Sequence, residues 1–420
     1  MMKKKVLRIL LALVISAVSG FILITAVYAI PKGRMVNNII RSHALLESEG
    51  NYRFWASDIT KTQSDNFSDS LMADIAVNPG KGSLLYDAMI NAYMGWEDTD
   101  NASEWLLRET GGEPLYPGSV QVVYGRYWHG YLLWMKPLLL FFSIPEMRLF
   151  SMAVQFLLFA FVFMLGYREL GFAGVMGLTV CLLALNPLST ILSFHFADIM
   201  INVMISSIVI FTHHERLDEK DSWYLLFLMI GVATAFFDLM TYPLVSLGVP
   251  LILYLLLSSK NLKDNFIHVI LFSVDWVAGY AGMWISKWLI GTVISGYNLV
   301  QDGLATVGYR SGGEVANIRS DYPYVLSQNM QAMFTRTLVA GLFLLAVSMI
   351  VLLLAGKLKF SVSLNRLIPV LFVGTYPFLW YFVIRNHSIV HVWFTHRALA
   401  VAVLAIASLP ACFLSEKRKL

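Results

Sequence analysis

The chain has 420 residues, of which 57% are hydrophobic and only 14% charged. A soluble globular protein carries about a quarter charged residues, so the composition excludes that class and points to an all-α polytopic membrane protein. A formal net charge of +4 with no basic aromatic platform argues against a nucleic-acid partner. Cys181 and Cys412 both lie in apolar runs, which argues against a disulfide framework or a thiolate metal site.

The first apolar run covers 6–30 and follows Lys3, Lys4 and Lys5. Val27-Tyr28-Ala29 resembles a cleavage site, but the run exceeds the ~7–15 residues of a signal-peptide core. It is therefore expected to stay as the first transmembrane helix, within residues 1–30. A polar stretch follows from Pro31 to about Gly130. It is closed by Tyr131–Phe142, which is apolar but too short to span and reads as an interfacial or re-entrant helix. This gives a large loop over 31–144.

Further spans are expected at 146–166, 171–191, 196–212, 223–241, 243–258 and 265–290, which makes 145–290 a membrane block. A second loop, 291–332, carries Gly312-Gly313 and looks flexible. The last block, 333–420, holds spans at 333–355, 365–384 and 397–414 and ends in Lys417-Arg418-Lys419. With about ten spans and a cytoplasmic N-terminus, the short loops on that side hold Arg168, Arg216, Lys220, Lys260, Lys263, Lys357 and Lys359. Basic residues favour the cytoplasmic side. Both termini are then cytoplasmic and the large first loop lies outside the plasma membrane.

Within the first loop, the spacing predicts a helix over 57–77 with Ser57 as its N-cap. Asp58, Asp65 and Asp69 then fall within about 40° of one another on one face, while Asp74 points away. Like charges at i,i+4 repel on an exposed helix. The stripe therefore suggests a cation, a basic partner or a catalytic role. A solvated acidic face near a helix start is the alternative.

A second constellation joins the last two spans. Residues 385–397 hold His387, His391, His396, Arg385 and Arg397, with Trp393 and Phe394 among them. His387 and His391 have the i,i+4 spacing of a metal pair, but no His-Glu-x-x-His pattern accompanies them, so metal is the less favoured reading. His195, Asp198, Asp238 and Lys287 collect at the same ends of their spans, where ionisable side chains are costly and face a cavity or partner. Tyr124-Gly125-Arg126-Tyr127-Trp128-His129 precedes the interfacial segment. Asp275 lies deeper and has no assigned role beyond a helix–helix contact. Asn-x-Ser triplets at Asn66, Asn101 and Asn386 read as incidental.

The long first loop with its aspartates, followed by an interfacial segment, resembles the GT-C superfamily of membrane glycosyltransferases. The chain also looks like a group of bacterial multi-pass proteins. They share Asp65-Asn66-x-x-Asp69, Tyr124-x-Arg126-Tyr127-Trp128-His129-Gly130-Tyr131 and Asn386-His387-Ser388-x-x-His391-x-x-Phe394-x-x-Arg397. The GT-C resemblance implies inverting transfer of a sugar from a polyprenyl-phosphate donor to a glycan, lipid or protein acceptor among membrane lipids. It implies Asp65 as general base, with Asp69 orienting the acceptor or binding a cation and Asp58 as another candidate. The clear Asp-Glu pair of many GT-C members is missing, so the choice of aspartate stays open. Arg126, Lys287 and Arg397 are expected to contact phosphate, helped by His391, with His129, Asn386 and His387 in the same substrate-binding set. A divalent cation is compatible with this scheme but not required by the residues. A transporter or flippase for a lipid-linked or anionic substrate, or a non-catalytic assembly protein, are the rival readings.

Overall fold

The computed structural model describes residues 2–56, 62–95, 102–111, 118–312 and 318–416. Almost all regular structure in them is helical, as apolar runs in lipid require, because a helix satisfies its backbone polar groups within one segment. Helix α1 (Met2–Tyr28) starts on the three lysines. The first loop then forms α2 (Gly33–Ile40), α3 (His43–Glu49), α4 (Asn66–Val77), α5 (Leu84–Ile90), α6 (Ala102–Gly111) and α7 (Leu132–Leu139). A small antiparallel ribbon, β1 (Tyr93–Gly95) with β2 (Val120–Val122), sits among them. Met35, Ile75, Trp128, Tyr131 and Met135 of this region are buried against Trp284 and Trp288 from the bundle.

Helix α8 (Ile144–Ala184) runs for 41 residues. A straight helix of that length would measure about 60 Å, twice a bilayer core. It is not straight: Gly171 has φ 70°, a left-handed value that a side chain disfavours. The chain doubles back there, so that Gly166 lies against Val175 and the Gln155 amide reaches the Thr190 carbonyl at 3.0 Å. Next come α9 (Pro187–Leu192), α10 (Phe194–Glu219), α11 (Trp223–Phe237), α12 (Val245–Leu257) and α13 (Leu262–Ser295). Helix α12 is buried almost throughout and forms the centre of the bundle. Gly231 and Gly279 let α11 and α13 touch backbone to backbone, a close approach that small residues allow.

The second loop was expected to be flexible, but most of it is ordered as α14 (Leu299–Gly312) and α15 (Tyr322–Met333); residues 313–317 lie outside the described set. Leu299 is buried beneath Gly125 and Gly291, and Asp321 caps α15 through the Tyr324 N–H at 3.2 Å. The chain ends with α16 (Arg336–Leu354), β3 (Leu358–Phe360), α17 (Leu364–Gly374), α18 (Tyr376–Val383), α19 (Arg385–Val390), α20 (Val392–Thr395), α21 (Ala400–Ala407), α22 (Leu409–Phe413) and β4 (Leu414–Glu416). Strands β3 and β4 pair antiparallel. Among the described residues, seven helices are long and apolar enough to cross a membrane, and α11 and α12 are shorter apolar helices.

The first loop is fastened to the bundle by buried charge. Arg148, at the start of α8, contacts both oxygens of Glu49 at 3.0 and 2.9 Å and donates to Asn66 Oδ1 at 2.7 Å. Asn66 closes the triangle by donating to Glu49 Oε2 at 3.0 Å. Removing one partner leaves the other charge buried alone, so Arg148→Met is expected to cost about 3–5 kcal/mol. Denaturant unfolding of the purified protein in detergent measures this, and an unchanged midpoint contradicts it.

Candidate functional site

Asp65 and Asp69 do not share a helix face. Asp65 is the N-cap of α4 and accepts the Ser68 N–H at 2.8 Å. Aspartate is among the best N-cap residues because its carboxylate takes up an N–H that the helix leaves unpaired. The helix therefore starts at Asn66, and the expected cap Ser57 and candidate Asp58 fall in 57–61, outside the described residues. The second Asp65 oxygen accepts the Trp393 indole N–H at 3.1 Å, and the Asp65 backbone N–H donates to Ser193 Oγ at 2.8 Å.

Asp69 caps a different helix. Its two oxygens accept the N–H groups of Phe194 and His195, at 3.1 and 3.0 Å, where α10 begins. Both aspartates are almost fully buried, at 1% and 0% exposure. Burial pushes the Asp65 carboxyl above its usual range, opposed by the hydrogen bonds from Ser68 and Trp393. Burial likewise raises Asp69 to about 7, opposed chiefly by the Arg148 charge. Each side chain joins the first loop to a later element, and each already has both oxygens engaged.

Four of the expected substrate-binding residues do converge. Arg126, Asn386, His387 and His391 line one polar cavity of about 360 Å³, together with Asp302, Tyr309 and Arg310 from α14. Arg126 pairs with Asp302 at 3.3 Å, and Asn386 donates to the Tyr309 carbonyl at 2.7 Å. Arg310 stacks over the Tyr127 ring and points an N–H at Met240 Sδ, 2.8 Å away. No carboxylate lies within ion-pair distance of Arg310 among the described residues. His387 Nε2 lies 2.7 Å from the Met240 carbonyl. A carbonyl only accepts, so this nitrogen carries the proton. Burial and then the Arg310 charge lower His391 to about 3, and burial also drives His387 well below its usual value. Both histidines are neutral near pH 7, and the cavity carries one net positive charge, centred on Arg310.

A second cavity, about 370 Å³, is a groove on the apolar flank of the bundle. Its walls come from the starts of α8 and α10, the end of α11, and α7, which supplies Trp134 and Leu138. Asp198 lies in this groove, partly exposed, with one carboxylate oxygen accepting the Trp134 indole N–H at 3.3 Å. Asn202 is turned away, donating to Thr234 at 3.0 Å. The two cavities adjoin the non-helical segment 238–244 between α11 and α12. Phe237 lines the groove, and Met240, three residues on, touches Arg310 and His387 of the polar cavity.

The remaining expected site residues lie elsewhere. Arg397 is fully buried below the cavity, donating to the Leu185 and Trp393 carbonyls at 3.0 and 2.8 Å with its guanidinium over Phe196. Lys287 holds the end of α5 through Asn91 Oδ1 at 2.8 Å. His129, at φ 56°, bridges the Tyr131 hydroxyl and the Tyr124 carbonyl. Asp302, Tyr309 and Arg310 were missed, although with Ala305 and Thr306 they follow the i, i+3, i+4, i+7, i+8 spacing of one helix face. Among the described residues, no group of three or more His, Cys, Asp or Glu side chains is placed to hold a metal ion. Comparison with known protein families, curated proteins and solved structures finds no match to this chain.

Since the arginines carry the charge and the histidines are neutral, sulfate binding in the polar cavity of an Asp238→Asn variant, which lacks the carboxyl coupled to Arg310, should stay flat between about pH 5 and 8. Arg310→Met should weaken it at every pH. Calorimetric titration checks both, and a binding midpoint near 6.5 contradicts the neutral-histidine assignment.

Proposed function

We propose that this protein is a membrane glycosyltransferase that moves a sugar from a polyprenyl-phosphate donor to an acceptor hydroxyl at the extracytoplasmic face. The observation that carries the reading is the pairing of a cationic cavity and an acid-bearing apolar groove across the 238–244 segment. Phe237 and Met240 are three residues apart, and three residues span at most about 10 Å.

In this scheme the donor phosphate sits against Arg310 and Arg126, with Asn386, His387 and His391 around it. The acceptor hydroxyl approaches from the groove. The base is Asp198, which lines the groove without an ion-pair partner, while Asp65 and Asp69 position α4, α10 and Trp393. As the acceptor oxygen bonds to the anomeric carbon, its proton passes to Asp198. The carbon–oxygen bond to phosphate breaks, and polyprenyl phosphate leaves with the electron pair, stabilised by the arginines. Inversion follows from attack opposite the leaving group.

The same reading places about ten crossings in the plasma membrane. The two arms of α8 count separately and α11 and α12 count as spans, beside the six other long helices. Both termini are then cytoplasmic, and the basic loop residues support that orientation. The broken segments 185–193 and 238–244 favour a transporter or flippase as the second reading, because interrupted helices line substrate paths in transporters.

The test is reconstitution in liposomes with a radiolabelled polyprenyl-phosphate sugar and a membrane-lipid extract. Wild type should transfer label to an acceptor, and Asp198→Asn should lower the rate about 10²–10⁴-fold without changing the melting temperature. Arg310→Lys should also be slow, because an ammonium does not reproduce the guanidinium fork. Labelled donor that changes leaflets with no new product would support the transporter and overturn the transferase.

A further inference from the structure

We infer that the groove beside Asp198 is the acceptor site, and that its occupant is a neutral membrane lipid with a free hydroxyl head. This rests on the transfer reading above and identifies the acceptor within it.

Three features of the groove select that chemistry. Asp198 and the Trp134 indole meet at one end of it, the polar groups of Ser151 and Asn202 are bonded to Gln155 and Thr234, and Met147, Phe150, Ile201 and Ile205 give apolar walls. From Asp198 to Ile205 the groove follows α10 for about 10 Å at the helical rise of 1.5 Å per residue. That is a path for a hydrocarbon chain, not for a polar glycan. Phe150 and Ile205, at 50% and 47% exposure, open the groove sideways to the apolar surroundings of the bundle. A lipid can therefore enter from the bilayer without crossing the first loop.

The head group is set by charge. The only hydrogen bond to the Asp198 carboxylate among the described residues is the neutral one from Trp134, and no cation lies within ion-pair distance of it. With no cation beside it, this apolar wall offers nothing to offset the burial of a phosphate charge. An anionic phospholipid, and the phosphate of the donor itself, are thus directed to the arginine cavity. A hydroxyl head instead donates to Asp198 and accepts from Trp134, which also places the reacting proton on the base.

Photo-crosslinking of the full chain in phosphatidylcholine nanodiscs tests this, with diazirine-tailed diacylglycerol as probe and peptide mass spectrometry as readout. Diacylglycerol should label residues 147–154 and 201–205. Phosphatidic acid, and diacylglycerol with its hydroxyl acetylated, should label them at least about tenfold less. Asp198→Ala, which removes the acceptor for the hydroxyl, should lower diacylglycerol labelling towards that of the acetylated lipid. Ile201→Trp, which fills the groove, should remove the labelling, and Arg310→Met should leave it unchanged. Equal labelling by phosphatidic acid or by the acetylated lipid in wild type, or labelling outside the groove, overturns the inference. Sugar transfer by a protein whose groove is not labelled overturns the lipid acceptor alone and leaves the transferase reading in place.

Discussion

The end of the bundle that carries the first loop depends on one constraint: a charge removed from water must be matched by a partner. Glu49 and Arg148 meet that demand with Asn66 as the third corner. Asp69 meets it with two backbone N–H groups at the start of α10, and Asp65 with the Ser68 amide and the Trp393 indole. These contacts join segments far apart in sequence, from residue 49 to residue 393. Because they are directional and buried, the loop has one low-energy seat on the bundle. That seat fixes where α10 begins, and Asp198 stands in the second turn of α10.

The arrangement also keeps opposite chemistries apart. Arginine and neutral histidine face one cavity and Asp198 faces the other, with the 238–244 segment adjoining both. Phe394 packs against the rings of His195, His387 and His391, with centroids 5.3, 5.7 and 5.0 Å away. Had Asp198 opened into the arginine cavity, it would have formed an ion pair there and neutralised both groups. Their separation leaves Arg310 with no carboxylate at ion-pair distance among the described residues.

Much of this was legible in the amino-acid order. Apolar run lengths and the lysine-led first helix marked a helical membrane protein, and the expected break at 166–171 falls at the Gly171 reversal. The importance of Asp65 and Asp69 was visible too, but their roles were not. An aspartate suited to cap a helix and one suited to act as a base look identical until the hydrogen-bond donors are known, and the donors here are 125 and 328 residues away. The motif around His387 and His391 did lead to the polar cavity. Arg397 and Lys287 did not, because their carbonyl and amide partners on other segments leave no mark in the local sequence. The contribution of α14 went unread because its face is built from small and polar residues, so its helical periodicity carries no hydrophobic signal.

The reversal at Gly171 bears on how the protein is made. In the proposed ten-crossing arrangement, an apolar stretch of 41 residues that turns on one glycine enters the bilayer as a hairpin, both arms together. Crossing number obeys parity: if the turn failed, the chain would cross once fewer and every later segment would emerge on the opposite side. Arg126 precedes the turn, whereas Arg310 and His391 follow it. In that arrangement a single backbone conformation at one glycine, far from either cavity, would decide whether the two halves of the polar cavity are ever on the same side of the membrane.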